Sequence, residues 1–289
     1  MTAPPSQPEP VLSQDQVGIL VNSAMTAPSM HNAQPWSFEI SGLVVDVILD
    51  QDRALPAEDL ADRFIRIGLG AATFNLRVAA AMLGYQTTFA IDPDPARPEI
   101  VARVFLGELQ TPIPPLGNLY GELRCRHTYG APMMTAELSP RVRDGVTEAA
   151  RAEGADLHWP DADERDKLGR ILHAAEELDG LDEDHLAGGS AAVFEQTPVI
   201  AILTTPTDGP SDWLRAGMAL QHALLTATSY DLAASFLNQA LEHAQLRPLV
   251  QELVGHTVRA QMVIRIGYPA HEGSVAHHRP WQEAVTYWH

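Results

Sequence analysis

The chain has 289 residues, 45% of them hydrophobic, and a formal net charge of −18 from 37 acidic and 19 basic side chains. That length and apolar content support one large or two small domains with a sizeable core. The acidic balance argues against nucleic acid, which is held through Lys and Arg on phosphates, and against an anionic membrane surface.

The first ten residues carry four prolines and no basic side chain and are expected to form a disordered tail rather than a signal peptide. Gln14 to Ala27 reads as a helix, with Val17, Leu20, Val21 and Ala24 at helical spacing behind a Ser13 cap. Ser37 to Leu49 reads as strand, turn and strand about Ser41-Gly42, and Asp62 to Leu83 as a long Ala- and Leu-rich helix. Short strands follow at Gln86–Ile91 and Glu99–Leu106, separated by prolines. Thr111 to Pro115 holds three prolines and looks like a stiff connection between two halves. The expected division is a tail at 1–10, a first half at 11–115 and a second half at 116–289.

The second half opens on Leu119 to Met134. It continues as a helix at Pro140–Glu153, a strand at Ala155–Trp159 and a helix at Ala162–Leu178. Asp179 to Ser190 is acidic, then glycine-rich, and reads as a mobile loop. Thr197–Thr204 reads as a buried strand, Ser211–Tyr230 as a helix, Ala233–Leu237 as a short extended segment and Val258–Tyr268 as a strand. The tail from Pro269 gathers His271, His277, His278 and His289, for which a solvated tail is a simpler reading than a metal site. One internal echo stands out. Phe64-Ile65-Arg66-Ile67-Gly68 and Trp213-Leu214-Arg215-Ala216-Gly217 each lie near the start of an Ala-rich helix that leads to a short strand, which suggests two related α/β units.

Ala27-Pro28-Ser29-Met30-His31-Asn32-Ala33-Gln34-Pro35-Trp36 is poor for both helix interior and core strand. Its prolines, amides and small residues suit an ordered turn that presents polar groups to a ligand, although a plain loop anchored by Trp36 would share that composition. His31 could stabilise the turn or face a ligand. Cys125, the sole cysteine, excludes an internal disulfide and a multi-cysteine zinc site; its place between Arg124 and Arg126 could depress its pKa, but a buried inert thiol is the commoner case. A single thiol fits a reducing compartment, so the expected location is cytoplasmic. No apolar run approaches the ~20 residues of a membrane span. No nucleophile elbow or phosphate-cradling glycine loop is present.

The turn Ala27–Trp36 resembles the hallmark of the nitroreductase superfamily of flavin enzymes. Trp213–Gly217, Leu232–Gln239, Ile266-Gly267-Tyr268 and Arg279-Pro280 are similar to its Acg-like branch, so the resemblance runs from about Val17 to Val285. It implies an α+β nitroreductase-like fold with two related halves in one chain mimicking a family homodimer. It implies FMN as cofactor and NAD(P)H as electron donor, with an electron-poor small molecule as acceptor. By the same resemblance Pro28, Ser29, Met30, His31, Asn32 and Gln34 lie along the flavin. Arg126 and Thr128 would grip the phosphate, Phe236, Leu237 and Asn238 would face the reactive edge, and Arg279 would reach the phosphate. Family members carry a further Arg shortly after the Thr, where this chain has Tyr129-Gly130-Ala131. The stretch 177–194 is short for a branch that covers the flavin with a lid.

The first half opens without Arg or Lys over residues 10–17, and the second lacks a Pro-Ser-x-x-Asn turn, so one flavin per chain is expected. The chain would then be a monomer with an internal pseudo-dimer, able to dimerise further. Two other functions share the resemblance: a protein that sequesters or stores flavin without turnover, and a flavin-free derivative of the fold.

Overall fold

The computed structural model describes residues 11–54, 61–179, 198–271 and 278–287. The expected tail at 1–10 and most of the stretches 179–190 and 177–194, the latter read as short for a lid, lie outside them, as do His277 and His289.

The first half runs α1 (Gln14–Met25), β1 (Trp36–Ser41), β2 (Val44–Leu49), α2 (Ala61–Met82), β3 (Tyr85–Ile91) and β4 (Ile100–Leu109). The second runs α3 (Glu122–Cys125), α4 (Pro140–Ala152), β5 (Asp156–His158), α5 (Ala162–Asp179), β6 (Ile200–Thr205), α6 (Pro210–Thr228), β7 (Ala233–Phe236), α7 (Gln239–Glu242), α8 (Arg247–Val254) and β8 (Arg259–Gly267). A last strand, β9 (Val285–Tyr287), lies in the tail that the sequence reads as solvated. It pairs in parallel with β1, Phe38 opposite Val285, and so returns the chain end to the first half's sheet.

The two sheets have the same plan. One is ordered β3-β4-β2-β1-β9 and the other β7-β8-β6-β5, so β1, β2, β3 and β4 correspond to β5, β6, β7 and β8. All pairings between those eight strands are antiparallel. The fold is α+β, with two related halves in one chain.

The correspondence is sharpest where α2 crosses α6. A Cβ on Gly70 would lie 2.0 Å from the Leu214 carbonyl oxygen, and a Cβ on Gly217 would lie 1.9 Å from that of Ile67. Each glycine thus meets the residue three positions before the other, as a two-fold axis requires, and only glycine lets the backbones approach this closely. This matches Gly70, not Gly68, with Gly217; the repeat is set two residues away from the register that the sequence echo suggests. Gly68 instead sits under the Ala27–Trp36 turn, 3.4 Å from the Pro28 carbonyl oxygen by the same construction. In the corrected register two side-chain contacts are images of each other. The Asn75–Gln221 hydrogen bond spans 2.7 Å, and the Phe74 and His222 rings stack with centroids 4.7 Å apart.

Burial follows the same exchange. Phe64 and Ile67 of α2 belong to the second half's core, and Leu214 of α6 to the first half's. The halves therefore share side chains as well as a surface. Helix starts are locally encoded: Ser13 accepts from the Gln16 backbone, and Gln16 returns a bond to the Ser13 backbone, satisfying two otherwise orphan donors of α1. Among the described residues no helix is long and apolar enough to cross a membrane.

Candidate functional site

The chain leaves α1 through residues 26–35 and does not enter β1 directly. Within this turn His31, Asn32 and Gln34 have φ of 49°, 55° and 50°, the left-handed region that side chains with a Cβ rarely adopt. Each such residue costs on the order of 1 kcal/mol or more and persists only where its surroundings fix it. Here they do. Ser29 Oγ accepts from the Gln34 backbone at 3.1 Å, the Ser29 carbonyl accepts from Asn32 N–H at 3.1 Å, and the Met30 carbonyl from Ala33 N–H at 3.0 Å. Asn75 of α2 donates to the Ser23 carbonyl and the Thr26 hydroxyl, both at 3.1 Å. Trp36 is fully buried at the far end, and Gln34 is buried beside it. Pro28, Ser29 and Met30 are half-buried, His31 and Asn32 exposed, and Met30 packs against the second half's core.

Two arginines from the second half bracket this turn. Arg126, just after α3, donates from Nη2 to the Thr26 carbonyl at 2.9 Å. Arg279 donates through Nη2 to the Trp36 carbonyl and through its backbone to Gln34 Oε1 at 3.4 Å. Both have a buried Nε without a hydrogen-bond partner among the described residues. Burial alone pushes the Arg126 pKa down to about 10, with no acid offsetting it. Burial also lowers that of Arg279, helped by Arg53 and opposed by Asp50 and Glu283. Arg126 is therefore a desolvated cation without a carboxylate partner, an arrangement that favours an incoming anion.

Thr128 is exposed and bridges in parallel to Ala234, and Tyr129 N–H donates to the Ala234 carbonyl at 2.8 Å, so the 126–129 segment lies along β7. Phe236 is half-buried at the end of that strand. Leu237 is buried in the core, its N–H spent on the Val263 carbonyl at 2.9 Å. Asn238 accepts from Val263 N–H at 3.0 Å and donates to Met262 Sδ at 3.4 Å. Leu237 and Asn238 thus hold β7 to β8. A cavity of about 290 Å³ opens between α3, the end of α6 and β7; Arg126, His127, Phe236, Glu122 and Asp231 are among its lining residues. The turn residues do not line it. Arg126 links the two places, with one edge in the cavity and one nitrogen on the root of the turn.

The structure therefore joins Arg126 to Thr26 and Arg279 to Gln34 and Trp36, at the two ends of the turn, and Thr128 to the strand carrying Phe236. It adds Arg265, which sequence reading did not single out. Its guanidinium is buried (1% exposed) and meets both the 129–131 segment and β7. The signal was a charged residue inside the apolar run Met262–Ile266. No group of three or more His, Cys, Asp or Glu side chains that could hold a metal occurs among the described residues.

No family model matches the chain. Among curated proteins, it is 26% identical over 305 residues to the Mycobacterium tuberculosis protein named "Putative NAD(P)H nitroreductase acg", covering 90% of this chain and 91% of that one. It is 24% identical to "Putative NAD(P)H nitroreductase Rv3131" of the same organism, over 88% and 85% of the two chains. Among solved structures, a nitroreductase with bound FMN from Bacteroides fragilis aligns with a TM-score of 0.43 at 15% identity, over 56% of this chain and 92% of that one. The turn and the near full-length likeness to acg agree: over most of its length the chain is similar to proteins named as putative NAD(P)H nitroreductases, the Acg-like branch that its motifs resemble.

Proposed function

We propose that this chain binds one FMN and passes hydride from NAD(P)H to an electron-poor small molecule. The observation that carries the reading is Arg126, a half-buried guanidinium with a buried Nε that has no hydrogen-bond partner and no ion-paired carboxylate among the described residues, hydrogen-bonded to the root of the strained turn. Its donor chemistry fits a phosphate, as does the exposed Thr128 hydroxyl two residues on. When bound, FMN would supply the hydride-transfer redox chemistry. The chain's own residues bind and orient. Arg126 and Thr128 take the phosphate, and Pro28, Ser29, Met30, His31 and Asn32 form the wall along the ring. Gln34 and Arg279 fix that wall from behind, and Phe236 supplies an apolar face backed by Leu237 and Asn238. No acid–base group is required.

The absorbance spectrum tests this. Protein incubated with FMN and desalted should stay yellow with one flavin per chain, bleach on adding NAD(P)H without oxygen, and recover its colour with a nitroaromatic or quinone. Protein that stays colourless overturns the cofactor assignment. Yellow protein that NAD(P)H does not bleach points to flavin sequestration, and two flavins per chain overturn the single site.

A further inference from the structure

We propose that Arg265 is a positioning residue that locks the phosphate-gripping segment onto β7 and thereby sets the preference for a phosphorylated flavin over an unphosphorylated one. The inference rests on the cofactor reading above. Arg265 stands opposite Ser235 in the β7–β8 register. Its Nε donates to Ser235 Oγ at 2.8 Å, and its Nη2 donates to the Ala131 carbonyl at 3.0 Å and to that of Tyr129 at 3.4 Å. One planar group therefore binds two separate stretches. One begins with Arg126 and Thr128; the other ends in Phe236.

The other contacts on this stretch are the Thr128–Ala234 bridge, the Arg126–Thr26 bond and the buried Tyr129 ring, none of which reaches the carbonyl of Ala131. Tyr129 N–H bonds the Ala234 carbonyl, and the Tyr129 hydroxyl accepts from His271 N–H at 3.1 Å. Gly130 has open space where a Cβ would stand, so nothing packs the backbone there from that side. Burying a guanidinium in an apolar strand is costly, and an apolar residue would serve packing alone as well or better. What the fork adds is direction: donors at fixed angles aimed at oxygens on two segments, which a lysine ammonium cannot reproduce. A shift of the 126–131 segment would displace the Arg126 guanidinium, whereas the wall at Pro28–Asn32 is held separately by the Ser29 and Met30 bonds of the turn and by Asn75.

The test compares FMN with riboflavin, which lacks the phosphate, by flavin-fluorescence titration of the full chain. Wild type should prefer FMN. Arg265→Met should weaken FMN binding roughly ten- to hundredfold while changing riboflavin affinity less than about twofold. Arg265→Lys should restore only part of the preference. A purely structural role would lower both affinities together, so an unchanged FMN-to-riboflavin ratio overturns the inference. Should Arg265→Met fail to fold, Ser235→Ala decides in the same way: it removes one of the bonds and should cut the ratio roughly threefold, and an unchanged ratio again overturns the proposal. Wild type that binds no FMN overturns the cofactor reading itself, an outcome distinct from wild type that binds FMN while the variants keep its preference.

Discussion

The two junctions that follow α1 and α4 occupy equivalent places and have opposite characters. After α1 the cap residue is Thr26, and residues 26–35 form the strained turn before β1. After α4 the cap residue is Glu153, and residues 153–155 lead straight into β5, helped by Gly154 at φ 87°. The partners across the two-fold correspond as well. Asn75 reaches Thr26, while its counterpart His222 lies 3.5 Å from Glu153. Arg77 closes the second junction with a 2.6 Å ion pair to Glu153 and lies over the Phe89 ring. One end of the repeat presents a turn and an unpaired arginine; the other is filled by a neutralised, buried ion pair. Duplicated architecture thus does not entail duplicated sites, because a site needs the local turn and the local charge, neither of which the sheet or helix plan dictates.

The largest test strikes what the halves share. Gly70→Val and Gly217→Val should each destabilise by more than about 3 kcal/mol, beyond usual overpacking, because the clash is with backbone. Thermal unfolding that shows one variant tolerated and the other not would break the two-fold equivalence. Next, Arg126→Ala should cost about 1.5–3 kcal/mol of FMN binding, while Arg77→Ala lowers the melting temperature and leaves flavin affinity unchanged. Equal flavin loss in both, by fluorescence titration, would erase the distinction between the open and closed ends.

Glu153→Gln sharpens the contrast through pH. Burial alone would raise the Glu153 carboxyl, but His222 and Arg77 outweigh it and hold it below the ordinary carboxylate range. A carboxyl depressed on folding contributes stability that is present above its unfolded pKa and lost as pH falls through its folded pKa. Wild type should therefore lose stability on acidification more steeply than Glu153→Gln, which itself costs about 1–2 kcal/mol near neutrality. Denaturant melts across the acid range decide it, and parallel curves would count against the ion pair. The smallest effect is a gain. Gly130 has open space and no strained φ, so Gly130→Lys should tighten FMN binding by about 1 kcal/mol or less without loss of stability.

The turn was legible because its residue types fit no regular element. The halves were legible from the glycine-bearing helix starts, but in the wrong register: matching by the aromatic-x-Arg pattern selects Gly68, while the contact that defines the repeat uses Gly70. Strand β9 and helix α7 were not legible. Neither Val285–Tyr287 nor Gln239–Glu242 shows a period of its own, and such short pieces depend on tertiary partners for stability. The Arg126–Thr26 bond was hidden for another reason, since only the folded chain brings residues a hundred positions apart together. Arg265 could have been found by asking why an apolar strand carries a charge.

The glycine crossing of α2 and α6 has a consequence for how such a molecule can change. In a symmetric dimer of identical subunits, a substitution that fills one junction fills the other as well, so closing one site closes both. Here Gly70 and Gly217 hold the two-fold contact while Thr26 and Glu153 are separate codons. Joining the halves frees each junction to vary alone: one can be given up to stability while the other keeps its strain.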